Sequence, residues 1–124
     1  MASRRAAAVV TANFEANLDA IEAYLAAAGA PLEFRRLIGE LQDAVIRNLE
    51  RHPEMGRPFL DHASLSIEGR DRISRLARRG DARSLREYLS GDYLLLYLVI
   101  DKTVYLLSIK HHRQLSFALD QFWP

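Results

Sequence analysis

The side chains best suited to acid–base chemistry stand in the second half of the chain. Arg86, Tyr88, Tyr97, Lys110 and His112 are spaced so that a β-sheet would carry them on one face. Together they offer a cation and several groups that can donate or accept a proton, as a reaction at a phosphodiester requires. Tyrosine and lysine are also common on half-exposed sheets, so the same set is consistent with an ordinary sheet surface.

These residues must be positioned by strands, and the sequence predicts three, at about Leu85–Leu89, Tyr93–Ile100 and Thr103–Lys110. Tight turns are predicted between them, at Ser90-Gly91-Asp92 and at Asp101-Lys102, because Gly and Asp tolerate the backbone that two-residue hairpins need. The three segments therefore form an antiparallel meander.

The period of two divides the meander into two faces. One face is almost entirely aliphatic, and we expect helices to cover it: Leu85, Leu89, Leu94, Leu96, Leu98, Ile100, Tyr105, Leu107 and Ile109. On this register Leu96→Ala should cost about 2–5 kcal/mol of stability. The other face carries three tyrosines and a basic rim, and we expect it to meet solvent or a partner: Arg86, Tyr88, Tyr93, Leu95, Tyr97, Val99, Val104, Leu106, Ser108, Lys110 and His112.

The first half of the chain predicts the elements that cover the sheet. Ala6–Thr11 is a short strand candidate, suited to a sheet edge. Helical spacing of apolar residues predicts helices over Asn13–Ala28 and Pro31–Arg51, with Thr11 or Asn13 as the N-cap of the first. The fold class is therefore α+β: an N-terminal strand, a helical hairpin, and a three-stranded antiparallel meander with the hairpin packed on one face.

Composition limits the classes of function. With 124 residues, 49% hydrophobic and 27% charged, the chain is expected to form one domain over residues 1–124. It has no cysteine, which excludes disulfides and thiolate zinc sites, and its four histidines lack metal-ligand spacing. We expect no metal or other cofactor. The longest apolar run is too short to cross a membrane, and the N-terminus lacks a secretory pattern, so a cytoplasmic location is expected.

Arginines are concentrated in one stretch of the chain. Seven of them stand between Arg70 and Arg86, against Asp71 and Asp81. A helix is predicted over Leu65–Arg79. The stretch is either a solvated helix surface or an electropositive patch for nucleic acid or an acidic partner.

Taken together, these features resemble the RelE/ParE superfamily of type II toxin–antitoxin toxins. The resemblance rests on the order of elements, on the first-helix pattern Thr11…Phe14…Leu18…Ile21…Tyr24, and on the loop Pro53-x-x-Gly56. It rests also on Arg86…Gly91…Tyr93…Tyr97 leading into Ile109-Lys110-His111-His112-Arg113. The segment Asp61–Arg83 is longer and more basic than the resemblance would lead one to expect, and its role is open.

The resemblance implies one of two activities. RelE-like members are metal-independent ribonucleases that cut mRNA in the ribosome, and here His112, Arg86, Tyr97 and Lys110 would be the catalytic residues. ParE-like members poison DNA gyrase and are not enzymes in that sense. The leucines at Leu94–Leu96 stand where ribonuclease members often carry a basic residue, which favours the ParE-like activity. A degenerate, non-toxic member that only binds a partner is the third possibility.

The resemblance also implies a partner, a cognate antitoxin with which the toxin forms a hetero-oligomer. The antitoxin would lie on the apolar and basic sheet face or in the groove of the helical hairpin. Gyrase, or the ribosome with its mRNA, would be the target. The residues predicted to contact a partner are Tyr93, Leu95, Tyr97, Lys110, Arg113, Arg75, Arg78 and Arg79.

Overall fold

A computed structural model of the chain describes residues 6–58 and 85–111. Strand β1 (Ala7–Val10) leads into helix α1 (Ala12–Ala27), followed by α2 (Pro31–Glu40), a π-helical turn (Leu41–Val45) and α3 (Ile46–Arg51). The strands β2 (Arg57–Pro58), β3 (Leu85–Ser90), β4 (Tyr93–Ile100) and β5 (Thr103–His111) follow. The predicted α+β architecture is confirmed. The helix predicted over Leu65–Arg79 lies outside the described residues.

The described strands form one sheet in the order β1-β5-β4-β3-β2, in which β1 pairs with β5 in parallel and the other neighbours pair antiparallel. The predicted meander is present, with Ser90 opposite Tyr93 and Ile100 opposite Thr103. Gly91 and Asp101 have φ of 56° and 53°, the left-handed backbone that the two turns require. Strand β1 is an edge strand, as its length predicted. The short β2 was not predicted.

Local sequence sets the helix ends. The Thr11 hydroxyl accepts a hydrogen bond from the Phe14 amide at 3.3 Å and so caps α1. Gly29 ends that helix with a φ of 74°, and Pro31 opens α2, where its missing N–H has no helical acceptor. The predicted second helix is present from Pro31 to Arg51, with the π turn inserted in it.

The π turn has a physical reason in the spacing of the buried residues. Leu37, Leu41, Val45 and Leu49 are buried at strict intervals of four, which is longer than the 3.6 residues of an α-helical turn. A π turn bonds residue i to residue i+5 and holds more residues per turn, and the Ile46 amide donates to the Leu41 carbonyl in this way. It keeps the four residues on one side of the helix.

The face of the sheet that the helices cover is not the predicted one. The core contains Leu95, Tyr97, Val104, Leu106 and Ile109, packed with Phe14 and the buried residues of the second helix. The predicted exposure of the tyrosine-bearing face is therefore wrong. Leu96, Leu98 and Leu107, predicted to lie under the helices, are at most 2% exposed but do not belong to this cluster. Both faces of the sheet are buried along its central strands. No helix of the described residues is long and apolar enough to span a membrane.

Candidate functional site

A β-bulge in β5 shapes the surface beside the helices. Tyr97 pairs with Leu106 but Leu96 pairs with Ser108, so Leu107 is an extra residue on β5. The insertion moves every later residue of β5 to the opposite face. Ile109 consequently lies in the helix-covered core with Leu95 and Tyr97 and is 2% exposed. Uninterrupted alternation had placed it on the opposite face, with Leu96 and Leu98.

Two asparagines of α1 satisfy the backbone groups at the bulge. The Asn13 side-chain amide donates to the Leu107 carbonyl at 2.8 Å. The Asn17 side-chain oxygen accepts from the Ile109 amide at 3.1 Å and from the Ser108 hydroxyl at 2.6 Å. Both asparagines are buried, and they stand one turn apart on the face of α1 that meets β5. The helix and the bulge thus fix one another.

The bulge also decides which histidine reaches the helix-covered face. His111 pairs with Tyr93, and their rings meet edge to face with centroids 5.5 Å apart. Uninterrupted alternation from Thr103 would put His111 on the aliphatic face, and the bulge reverses this. His112 lies outside the described residues.

Tyr93 and His111 stand at a cleft of about 750 Å³. One wall is formed by α1 and α2, and the other by the β3–β4 turn and the end of β5. Its apolar lining includes Ile21, Leu25, Leu37 and Ile109. Its acidic and basic lining residues are Glu33, Arg36, Glu40, Asp92 and His111.

The carboxylates of the cleft act on Tyr93. Burial raises the pKa of the Tyr93 hydroxyl above its usual value, and the negative charges of Glu33 and Asp92 raise it further. Glu33 belongs to α2 and Asp92 to the β3–β4 turn, so the two walls of the cleft contribute to the same negative potential. The hydroxyl remains protonated at neutral pH and can donate a hydrogen bond to a ligand.

A second polar cluster joins the loop after α3 to the sheet. The Tyr97 hydroxyl donates to the Pro53 carbonyl at 2.7 Å and accepts from the Gly56 amide at 2.9 Å. Arg86 donates to the carbonyls of Gly56 at 2.7 Å and Glu54 at 3.2 Å. We call the loop segment Pro53–Gly56, with the side chains of Arg86 and Tyr97, the loop clasp.

The loop clasp requires glycine at position 56. A Cβ there would lie 2.6 Å from the Glu87 carbonyl oxygen and from the Tyr97 hydroxyl, closer than any ordinary contact. Beside it Arg57 pairs with the buried carboxylate of Glu87. The pKa of Tyr97 is raised by burial, which outweighs the opposite effects of the Gly56 amide and of Arg86.

The ParE toxin family of type II toxin–antitoxin systems, parDE, matches residues 8–116. The chain belongs to this family. No curated protein matches it at a significant level. Family membership makes the chain a type II toxin, for which an antitoxin is the partner.

In this ParE-family toxin, two of the four predicted catalytic residues lie side by side, one lies on the opposite face of the sheet, and one is outside the described residues. Arg86 and Tyr97 pair across β3 and β4 and meet in the loop clasp, where both are occupied by backbone groups. Lys110 is half-buried on β5 opposite Leu94, a pairing that places it on the other face of the sheet from Tyr97. His112 is outside the described residues. These roles remain predictions for a ribonuclease.

The predicted partner residues are also divided. Tyr93 lines the cleft and is half-buried. Leu95 and Tyr97 are fully buried under the helices and offer no surface to a partner in this fold. Arg75, Arg78, Arg79 and Arg113 lie outside the described residues.

Sequence reasoning missed the residues that hold the bulge and line the cleft. Asn13 and Asn17 interrupt an apolar helix face at a spacing of four, a signal that indicates buried polar partners across the helix–sheet interface. Glu33 and Glu40 are ordinary surface carboxylates of α2 in the sequence. Nothing local indicates that they face the β3–β4 turn, because that contact is made only by the fold.

We expect Tyr97→Phe to lower the free energy of unfolding by about 1–3 kcal/mol, since it leaves the Gly56 amide and the Pro53 carbonyl without their partner. Equilibrium urea denaturation measures this. Tyr88→Phe is the matched control, because Tyr88 is half-buried on the neighbouring strand with no hydrogen bond to its hydroxyl from the described residues. Equal stability of Tyr97→Phe and the wild type would mean that the loop clasp contributes nothing.

Proposed function

We propose that this toxin inhibits growth by poisoning DNA gyrase and that its cognate antitoxin neutralises it by docking in the cleft beside Tyr93. The observation that supports gyrase poisoning is membership of the ParE family. The cytoplasm, where gyrase and its DNA are found, is the location that this function requires.

The loop clasp supports gyrase poisoning over RNA cleavage. A metal-independent ribonuclease needs a proton donor and acceptor that can reach the substrate. The Tyr97 hydroxyl is fully buried and already makes two hydrogen bonds to the backbone. Arg86 is likewise held by the carbonyls of residues 54 and 56. These two side chains therefore stabilise the loop rather than act on a substrate. Binding to gyrase through a surface is then a simpler explanation of toxicity than RNA cleavage.

The cleft supports antitoxin docking because it combines an apolar lining with polar groups of several kinds. Such a surface suits an amphipathic segment. Leu95 and Tyr97, which the sequence suggested as contacts, are fully buried in the core cluster. The docking surface proposed instead is the opening next to Tyr93 and His111. The expected result of antitoxin binding is slowed amide hydrogen exchange in the β3–β4 turn.

Expression of the toxin is expected to cause DNA breaks and an SOS response while mRNA stays intact. His112→Ala and Lys110→Ala should remain toxic. Toxicity should fall when Arg113, or Arg75, Arg78 and Arg79 together, are replaced by alanine, since arginines often dominate an interface. The measurement is gyrase supercoiling and cleavage with the purified protein, beside transcript mapping after induction.

The competing activities give different results in the same experiment. Ribosome-dependent cuts in mRNA with normal supercoiling would show a ribonuclease, and His112→Ala or Lys110→Ala should then lose on the order of 10²-fold in rate. Absence of both activities, with antitoxin still bound, would show a partner-binding member that is not toxic. Either result would overturn gyrase poisoning.

A further inference from the structure

The cleft has an apolar floor and carboxylates on both walls. Leu25, Leu37 and Ile109 form part of the floor and are 6%, 4% and 2% exposed. Glu33 and Glu40 stand two turns apart on α2, and Asp92 belongs to the facing β3–β4 turn. Arg36 on α2 and His111 on β5 are the basic residues of the lining, so negative charge is in excess.

Two of these carboxylates are not neutralised by the described part of the chain. Neither Glu33 nor Glu40 has an ion pair or hydrogen bond with another described side chain, although Arg36 lies one turn from each. The Glu40 carboxylate reaches toward the opposite wall, where it lies 4.0 Å from the position of a Cβ on Gly91. Both carboxylates are exposed in the free protein and therefore hydrated.

The negative potential extends into the cleft itself. The charges of Glu33 and Asp92 both act on the Tyr93 hydroxyl and raise its pKa, which places their field between the two walls. The Tyr93 ring lies within the lining and makes an edge-to-face contact with the His111 ring. An aromatic face beside carboxylates is a favourable environment for a guanidinium or ammonium group.

A purely apolar partner segment would remove water from Glu33 and Glu40 without replacing it. Loss of water from an unpaired charge is costly, whereas an opposite charge that arrives with the partner compensates for it. The apolar floor at the same time requires aliphatic or aromatic side chains on either side of the charge.

We infer that the cleft accepts an antitoxin segment in which an arginine or lysine, flanked by apolar residues, lies between Glu33 and Glu40 on α2 and Asp92 on the β3–β4 turn. This inference rests on the proposed docking of the antitoxin in the cleft and adds the charge of the residue that anchors it. It is opposite in sign to the acidic partner that the arginine-rich segment of the sequence suggested.

The experiment measures the affinity of the full-length toxin for its antitoxin, the product of the adjacent reading frame, by calorimetry at low and at physiological salt. The double variant Glu33→Gln/Glu40→Gln removes two cleft carboxylates. Asp19→Asn/Glu22→Gln is the matched control, because it removes two exposed carboxylates of α1 that are not part of the lining. Both variants have the same net charge.

The cleft variant should bind about tenfold more weakly or worse and lose part of the salt dependence, while the control stays within about twofold of wild type. Changing the anchoring arginine or lysine of the antitoxin to glutamine should then add little to the loss in the cleft variant.

Wild-type affinity in the cleft variant would overturn the inference and leave antitoxin binding intact. Equal losses in both variants would overturn it too, because long-range attraction would then explain the effect. Wild-type toxin that binds no antitoxin would refute the docking proposal together with the inference. Self-association that the cleft variant abolishes would make a second copy the occupant and would also overturn it.

Discussion

Leu95→Ala is expected to lower the free energy of unfolding by about 2–5 kcal/mol, the range for a large apolar side chain removed from a packed core. Leu95 is fully buried in the cluster that the sheet forms with α1 and the second helix. The change removes most of a side chain that packs between the sheet and the helices. Strand β4 lies between β5 and β3 and has little freedom to move and close the cavity. Urea denaturation followed by far-ultraviolet circular dichroism measures the effect.

Leu89→Ala is the matched control on the adjacent strand. Leu89 is 61% exposed, so its truncation should change stability by less than about 0.5 kcal/mol. The simple alternation of the sequence predicted the reverse, with Leu89 under the helices and Leu95 on the open face. A larger loss at Leu89 than at Leu95 would contradict the structure and restore that assignment.

The turns and strands could be predicted from the sequence because their determinants are local. Gly91 and Asp101 supply the left-handed backbone of the two hairpins, and Pro31 and Gly29 mark the boundary between the helices. The face that the helices cover could not be predicted, because the central residues of β4 are apolar on both faces. The tyrosines led to the prediction that their face is exposed to solvent. The Tyr97 hydroxyl is instead buried and makes both of its hydrogen bonds to the loop at residues 53–56.

The candidate site depends on longer-range contacts still. Tyr93 was recognised from the sequence as a residue of interest, but its neighbours Glu33 and His111 come from α2 and from the end of β5. His111 reaches Tyr93 only because one residue is inserted in β5. Alternation predicts the wrong face for every residue after such an insertion. The residues that satisfy the bulge, the asparagines of α1, stand some ninety residues earlier in the chain.

Asn17→Ala is therefore expected to be severe, with a loss of about 2–5 kcal/mol. The Asn17 side-chain oxygen is the acceptor for the Ile109 amide and the Ser108 hydroxyl, both of them buried at the bulge. Alanine removes the acceptor of two buried donors, and each donor left unsatisfied costs about 1–3 kcal/mol. Thermal and urea unfolding measure the loss.

The double variant Asn17→Ala/Ser108→Ala separates hydrogen bonding from packing. If unsatisfied donors cause the loss, removing the Ser108 hydroxyl should recover about 1 kcal/mol or more relative to Asn17→Ala alone. Additive losses from the two substitutions would instead show that the cost comes from the cavity.

The edge-to-face contact of Tyr93 and His111 depends on the same bulge, so Asn17→Ala should also shift the ring resonances of both residues in NMR spectra. Unchanged resonances beside a large loss of stability would mean that the bulge keeps its register without Asn17 and that the helix only stabilises it.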